Sequence, residues 1–160
     1  MNLKNSSCVI TIVVLTVAVS VLVLRFIVFG QTKAADQTDQ RITVMVTETE
    51  RDFMLSEMRA MLVGIQQIMQ ASFSKDMSSI VEIAQSLGVK TMSDIPPGIM
   101  GKLPLTFKKL GLGVHYTFDQ IALDAKDLGD EQHTLHQLQK MLQSCTACHA
   151  SYKLSTKQEN

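Results

Sequence analysis

The sequence has no tryptophan, only two tyrosines and three prolines, and no net charge. Because aromatic and β-branched residues favour strands, whereas leucine, methionine, alanine and glutamine favour helices, this composition indicates a helical chain rather than a β-sandwich. A balance of 15 basic and 15 acidic side chains argues against nucleic-acid binding, which leaves a basic footprint. Three cysteines are too few for a disulfide-stapled miniprotein, and an apolar fraction of 46% excludes a disordered chain.

Acidic residues are absent from the first 35 positions, where the sequence instead carries a long apolar run. Residues 8–29 form 22 positions with a single charge, Arg25. As a helix they would extend about 33 Å at about 1.5 Å per residue, which is enough to cross a bilayer. Arg25 lies near the far end of the run, so its guanidinium can reach the membrane interface. Residues 1–30 are therefore predicted to be an uncleaved signal-anchor with a single transmembrane helix.

Two alternatives compete with the anchor. A cleavable signal peptide has a shorter apolar core and a small-x-small cleavage site. Only Thr32-Lys33-Ala34 approaches that pattern, and cleavage there would make Ala35 the first residue. A buried globular helix that is apolar on every side would need a larger protein to surround it. Cys8 begins the apolar run and is interpreted as a thiol at the membrane edge without an assigned role.

A change in polarity after the run divides the rest of the chain. Residues 31–40 are small and polar, as is typical of a linker. Residues 41–50 alternate like a strand but have no evident partner strand, so 31–50 are predicted to be a linker and an irregular lead-in, or the frayed start of the first helix. Residues 51–154 show four apolar stripes at helical spacing, which predict an all-α domain, an antiparallel four-helix bundle. Residues 155–160 are predicted to be a polar tail.

Apolar residues at steps of three and four define the predicted helices. The stripe of the first helix is formed by Met54, Met58, Met61, Ile65 and Ile68. The second helix is predicted to begin at Ser74 as its N-cap and to end at Leu87, and a loop follows over 90–103. The third helix ends at Gly129, and Asp130 caps the fourth. The stripe of the fourth helix is formed by Leu135, Leu138, Leu142, Cys145, His149 and Tyr152.

Residues 145–149 read Cys-Thr-Ala-Cys-His, and C-x-x-C-H is the attachment pattern of c-type haem. Two thiols can add to the vinyl groups of one porphyrin, and an imidazole beside them can ligate its iron. On a helix, Cys145, Cys148 and His149 share one face, and that face is the apolar stripe. The sequence therefore predicts one covalent haem c, attached through Cys145 and Cys148, with His149 as the proximal ligand of the iron.

Other interpretations of the cysteines and histidines are weaker. A redox C-x-x-C usually opens a helix, whose dipole lowers the thiol pKa, whereas this pair lies near the end of one. Zinc would need further ligands at paired spacing. The remaining histidines, His115, His133 and His136, lie off the main stripes and are expected to be solvated; the last two could share a surface metal, but two ligands make a poor site.

The tail CTACHASYKL at 145–154, with HYTFDQIALDAK at 115–126 and EMRAMLVGIQQI at 57–68, resembles the cytochrome c-prime family and its low-spin relatives. The resemblance implies a bundle whose haem hangs from the last helix, with His149 as the proximal ligand. It also implies that the first helix supplies the residue on the opposite side of the iron, which is apolar in high-spin members and methionine in low-spin members. The family register best matches Met61, with Met58 as the lower-ranked alternative.

These observations predict a monohaem c-type cytochrome that carries single electrons and has no catalytic residues besides the haem. Axial Met/His ligation suits electron transfer. The anchor predicts a place on the bacterial inner membrane, with the haem domain in the periplasm and redox partners in the periplasm or the membrane; a homodimer is one oligomeric state to test. The alternatives are a five-coordinate haem module that binds nitric oxide or carbon monoxide, and a haem-free thiol–disulfide oxidoreductase.

Overall fold

The computed structural model describes residues 3–35 and 37–156, with side chains from residue 9 onward, and this part of the chain is mostly helical. The side chain of Cys8 and residues 157–160 of the predicted polar tail lie outside the described residues. Helix α1 spans Leu3–Val23 and continues as a π-helix over Leu24–Phe29.

The N-terminal helix carries the apolar run found in the sequence. Its segment Val9–Phe29 is long and apolar enough to cross a membrane, by length and composition, and none of it is buried inside the protein. The alternative of a buried core helix is therefore wrong. The Arg25 guanidinium donates a hydrogen bond to the Gly30 carbonyl just past the helix end. Gly30 itself has φ 66°, and a Cβ there would collide with the Lys102 carbonyl, so glycine is required where the span meets the rest of the protein.

Six further helical segments follow the span in the described residues. They are α2 (Glu48–Phe73), α3 (Met77–Leu87), a 3₁₀ helix (Val89–Asp94), the single turn α4 (Ile99–Lys102), α5 (Leu105–Leu128) and α6 (Glu131–Ser151). The predicted end of α5 is confirmed, because Gly129 adopts a left-handed conformation with φ 61°. The cap of α6 is also confirmed: the Asp130 carboxylate accepts hydrogen bonds from the backbone N–H groups of Gln132 and His133, at 2.9 and 3.0 Å.

Some predicted helix boundaries are wrong. Ser74 is not the N-cap of α3 but the C-cap that follows α2, and its N–H donates a hydrogen bond to the Gln70 carbonyl. The cap is Asp76, whose carboxylate accepts from the Ser79 N–H at 3.1 Å and is a stronger acceptor than a hydroxyl. The predicted loop at 90–103 contains most of the 3₁₀ helix and all of α4. Tyr152, which the pattern placed on the last helical stripe, is the first residue of a strand.

A small sheet corrects the expectation of an all-α domain. Strand β2 (Ile42–Met45) lies between β1 (Thr32–Lys33), to which it is antiparallel, and β3 (Tyr152–Ser155), to which it is parallel. The alternating pattern at 41–50 thus marks a real strand. Its partners escaped prediction because β1 has only two residues and β3 continues directly from a helix. The sheet ties the segment after the apolar span to the residues that follow the C-x-x-C-H pattern.

The long helices pack in sequence around a core, with contacts of α2 with α3, α3 with α5, α5 with α6, and α6 with α2. Two groups of buried residues form this core. The larger, here called the helical cluster, is centred on Ile68, Ile80, Phe118, Ile121, Leu138 and Met141. The smaller, here called the sheet cluster, consists of Val44, Val46, Met54, Ile99, Leu103 and Phe107. Both clusters border the last turns of α6.

Candidate functional site

The C-x-x-C-H pattern lies in the last two turns of α6, as predicted from its spacing. Cys145 and Cys148 are free thiols of intermediate burial, and His149 is exposed. The steps of three and four residues put the three side chains on one face, and all three line the same cavity. The structure therefore brings together the three residues that the sequence predicted to hold a haem.

The cavity, here called the α6 cavity, has a volume of about 170 Å³ and is open to solvent. Its walls come from α2, the segment between α3 and α5, α5 itself and α6. Its lining is almost entirely apolar and includes five methionines: Met54, Met58, Met61, Met92 and Met100.

Two glycines in α5 have no close neighbour. A Cβ built at Gly111 or Gly113 would meet nothing within 4 Å, so close helix packing does not explain either residue. Gly111 lines the α6 cavity, whereas Gly113 lines a separate groove between α5 and α6. Close packing instead explains Gly64 in α2, where a Cβ would collide with the Leu87 side chain. Gly111 therefore leaves open a part of the cavity wall that any other side chain would fill.

The two cysteines contact different parts of the core. Cys145 packs against the helical cluster and Cys148 against the sheet cluster, so the pair spans the gap between the two. Burial raises the pKa of Cys145, and burial together with the charge of Cys145 raises the pKa of Cys148. Both groups are therefore thiols at neutral pH, unlike the exposed, low-pKa thiolates of redox motifs.

Basic side chains border a second groove that also reaches His149. This groove, here called the basic groove, is lined by Arg41, Arg51, Leu55, Met58, Phe107, Cys148, His149, Tyr152, Lys153 and Leu154. Arg41 and Lys153 both contact the Asp39 carboxylate, at 2.8 and 3.3 Å. The hydrogen bonds from Arg41 hold the pKa of Asp39 far below its usual range. Arg51 contacts the exposed Asp52 at 3.9 Å. Three basic residues and no acidic residue line the groove itself.

The predicted methionines both reach the α6 cavity. Met58 and Met61 lie one turn apart on α2, are half-buried, and line the cavity together with Cys145, Cys148 and His149. Among the described residues, neither sulfur has a polar partner that would orient it. Met61 and Met58 therefore share the wall expected from the resemblance, and the structure gives neither of them priority.

One cavity residue was missed by the sequence reasoning. His115 was expected to be solvated, but it lines the α6 cavity from α5, and its Nδ1 lies 2.8 Å from the Leu87 carbonyl oxygen. The signal was present in the spacing, because a residue four positions after Gly111 lies directly above it on the helix. His133 is also partnered, since its Nε2 lies 3.1 Å from the Asp124 carboxylate, whereas His136 is exposed as expected.

No third ligand joins the histidine pair on α6 in the described part of the chain. Within residues 3–35 and 37–156, no group of three or more His, Cys, Asp or Glu side chains is placed to hold a metal ion.

The chain was compared with known proteins. No protein-family model matches it, and neither a curated protein nor a solved structure matches it.

Proposed function

We propose that this protein is a membrane-anchored monohaem c-type cytochrome that transfers single electrons. In this proposal Cys145 and Cys148 hold the haem covalently, and His149 is the proximal ligand of its iron. The observation that carries it is the convergence of these three side chains on one apolar cavity at the end of α6. When bound, a haem supplies a reversible ferrous–ferric couple, and the protein supplies its attachment, its axial ligands and its surroundings.

The residues present fit a porphyrin. Each thiol can add its S–H across a vinyl double bond, forming a sulfur–carbon bond, and the protonated state of both cysteines suits that addition. The open space above Gly111 and the methionine-rich lining accept a flat apolar ring. A haem would also fill the gap between the two core clusters, since Cys145 and Cys148 contact one cluster each.

The basic groove fits the polar edge of a haem. A haem carries two propionate carboxylates, and Arg51 lines the groove that adjoins His149 and Cys148, beside Arg41 and Lys153, which already contact Asp39. Arginine pairs with carboxylates in a bidentate geometry, which suits this role. The apolar cavity and the basic groove thus match the two ends of a single amphipathic cofactor.

The arrangement of the helices and the location of the protein are part of the same proposal. We infer an antiparallel four-helix bundle of the cytochrome c-prime type over residues 51–154, held to the bacterial inner membrane by residues 1–30 with the haem domain in the periplasm. The Lys108 ammonium donates hydrogen bonds to the Phe26 and Ile27 carbonyls at the end of the span, and Lys108 lines the α6 cavity. The cavity therefore lies next to the membrane end of the domain, within reach of membrane-bound redox partners.

A second candidate function is the binding of nitric oxide or carbon monoxide by a five-coordinate haem. The unfilled space near Gly111 favours it, because a gas ligand needs room beside the iron. A haem-free thiol–disulfide oxidoreductase is disfavoured, because burial raises the pKa of both thiols.

The absorption spectrum of the full-length protein, matured in a host that attaches c-type haem, tests the function. Electron transfer predicts a covalently bound haem with a low-spin spectrum in both oxidation states and no reaction with carbon monoxide. A high-spin spectrum with rapid carbon monoxide binding would favour the gas-binding module. Protein that accumulates well but carries no haem would refute the proposal.

The anchor is tested separately by the mass of the mature N-terminus. If residues 1–30 are an anchor, protein purified from membranes in detergent retains them and stays in the membrane fraction after a high-salt wash. A soluble protein that begins at Ala35 would show that the segment is a cleaved signal peptide. The result leaves the haem assignment unaffected.

A further inference from the structure

The side chain of His115 is held in one orientation by neighbours on another element. Its Nδ1 lies 2.8 Å from the carbonyl oxygen of Leu87, the last residue of α3, and 3.4 Å from the Thr91 hydroxyl. A carbonyl oxygen only accepts hydrogen bonds, so Nδ1 must carry the hydrogen. In a neutral imidazole the lone pair then resides on Nε2.

The other ring nitrogen, Nε2, has no hydrogen-bond partner in the described part of the chain. Among the described residues none forms a hydrogen bond with Nε2 of His115, while the ring lines the α6 cavity together with the C-x-x-C-H side chains. Iron-ligating and zinc-ligating histidines show the same arrangement: one nitrogen donates to a carbonyl or carboxylate, which fixes the tautomer, and the other binds the metal. An imidazole is also a ligand that suits iron.

We propose that His115 supplies the sixth ligand of the haem iron through Nε2, so that the iron is held between His149 and His115. This inference rests on the proposed haem function. It replaces Met61 and Met58 as sixth ligands, and both methionines then pack against the porphyrin as part of the apolar wall. No hydrogen bond within the described residues orients either thioether, whereas the imidazole of His115 is already oriented by the Leu87 carbonyl of α3.

A purely structural role for His115 can be distinguished from iron ligation by mutation. The Leu87 carbonyl is at the end of α3, where the helix supplies no N–H donor to it, so the imidazole could serve only as that donor. The variant His115→Asn separates the roles, because its amide nitrogen can replace Nδ1 as donor to Leu87 but offers nothing in the place of Nε2. His136→Asn, at an exposed position on α6, is the matched control.

Absorption and electron paramagnetic resonance spectra of the full-length holoprotein test the assignment. The wild type and His136→Asn are expected to be low-spin and to lack the sulfur-to-iron charge-transfer band of methionine ligation. His115→Asn is expected to be high-spin and to bind carbon monoxide, added imidazole should restore the low-spin spectrum, and His115→Met should introduce the sulfur-to-iron band. Met61→Ala and Met58→Ala should leave the wild-type spectrum unchanged.

Several results would overturn the assignment. If the wild type has a sulfur-to-iron band and Met61→Ala or Met58→Ala abolishes it, the sixth ligand is that methionine and not His115. A low-spin His115→Asn holoprotein, or a wild type that is already high-spin, would show that His115 does not ligate the iron. In each of these cases haem remains attached and the proposed function stands, whereas protein without covalent haem would end both proposals.

Discussion

The two core clusters differ in how completely they are filled. In the helical cluster Ile68, Ile80, Phe118 and Ile121 have no exposed surface. At the end of α6, between that cluster and the sheet cluster, the walls instead enclose an apolar cavity with both cysteines on its edge. Protein interiors are ordinarily close-packed. One end of the domain is therefore close-packed, and the other contains a cavity that the proposed haem would fill.

Removal of both thiols should have the largest effect, and only at the cavity. In Cys145→Ala/Cys148→Ala we expect complete loss of covalent haem and faster amide exchange in the α2 residues beside the cavity, because their packing partner is gone. The helical cluster should keep its protection. Hydrogen exchange measured by mass spectrometry on the full-length protein compares the two regions. Equal protection with and without haem would contradict the claim that haem completes this end of the core.

Truncation of a buried side chain in the helical cluster should have the next largest effect. Phe118 is fully buried, so Phe118→Ala should lower the free energy of unfolding by about 3–5 kcal/mol through lost burial and a new cavity. The loss should be similar with and without haem. Urea unfolding followed by circular dichroism measures it. Leu123→Ala, on the same helix at a side chain that is 52% exposed, is the control and should change stability by less than about 0.5 kcal/mol.

Filling the cavity should separate cofactor binding from stability. Gly111→Ala should stabilise the haem-free protein by up to about 1 kcal/mol, because alanine is the better helix former and its Cβ meets no atom within 4 Å. Gly111→Leu should lower haem occupancy, since its side chain enters the α6 cavity. Gly113→Leu, which faces the separate groove, should leave occupancy unchanged. Haem content per protein is read from the absorbance ratio, and equal occupancy of the two leucine variants would place the haem elsewhere.

The last prediction concerns a buried ion pair near the sheet cluster. Lys102 Nζ lies 2.8 and 2.6 Å from the two carboxylate oxygens of Glu50, a residue only 8% exposed. Burial acts to raise the pKa of Glu50, but hydrogen bonds from Lys102 and Thr47 outweigh it and hold the pKa below the ordinary 4.5. A depressed pKa contributes stability that is present above pH 4.5 and is lost as the pH falls through the folded-state value.

Glu50→Gln should therefore cost about 1–3 kcal/mol at neutral pH, because it leaves Lys102 without its charged partner. It should also flatten the decline of stability below pH 4.5, since the variant has no carboxyl group to protonate. Urea unfolding at a series of pH values measures both. Glu48→Gln, an exposed acid in the first turn of the same helix, is the control. A variant with an undiminished acid decline would show that Glu50 does not produce it.

Local sequence signals predicted part of this structure well. Apolar periodicity identified the long helices, and Gly129 and Asp130 marked where α5 ends and α6 begins, because these signals act within one helical turn. The capping box at the start of α2 was readable in the same way but was missed: the Thr47 hydroxyl accepts from the Glu50 N–H, and the Glu50 carboxylate accepts from the Thr47 N–H.

Contacts between distant segments could not be predicted from local pattern. Strand β2 pairs with β3 across more than a hundred residues, and β3 is hidden behind the helix that carries the C-x-x-C-H pattern. His115 looked like a surface residue because its orienting partner, Leu87, lies 28 positions earlier. The motif residues were found because their chemistry needs only adjacent positions on one helix, whereas the rest of the cavity is assembled by the tertiary fold.

The central claim is that Cys145 and Cys148 hold one haem. Tryptic digestion of the purified holoprotein releases residues 141–153 as one peptide, because lysines precede and end it. Mass spectrometry should find this peptide carrying the mass of a single haem, with no free thiol left to alkylate. A peptide of unmodified mass with two alkylated cysteines, from protein matured in a host that attaches c-type haem, would contradict the account.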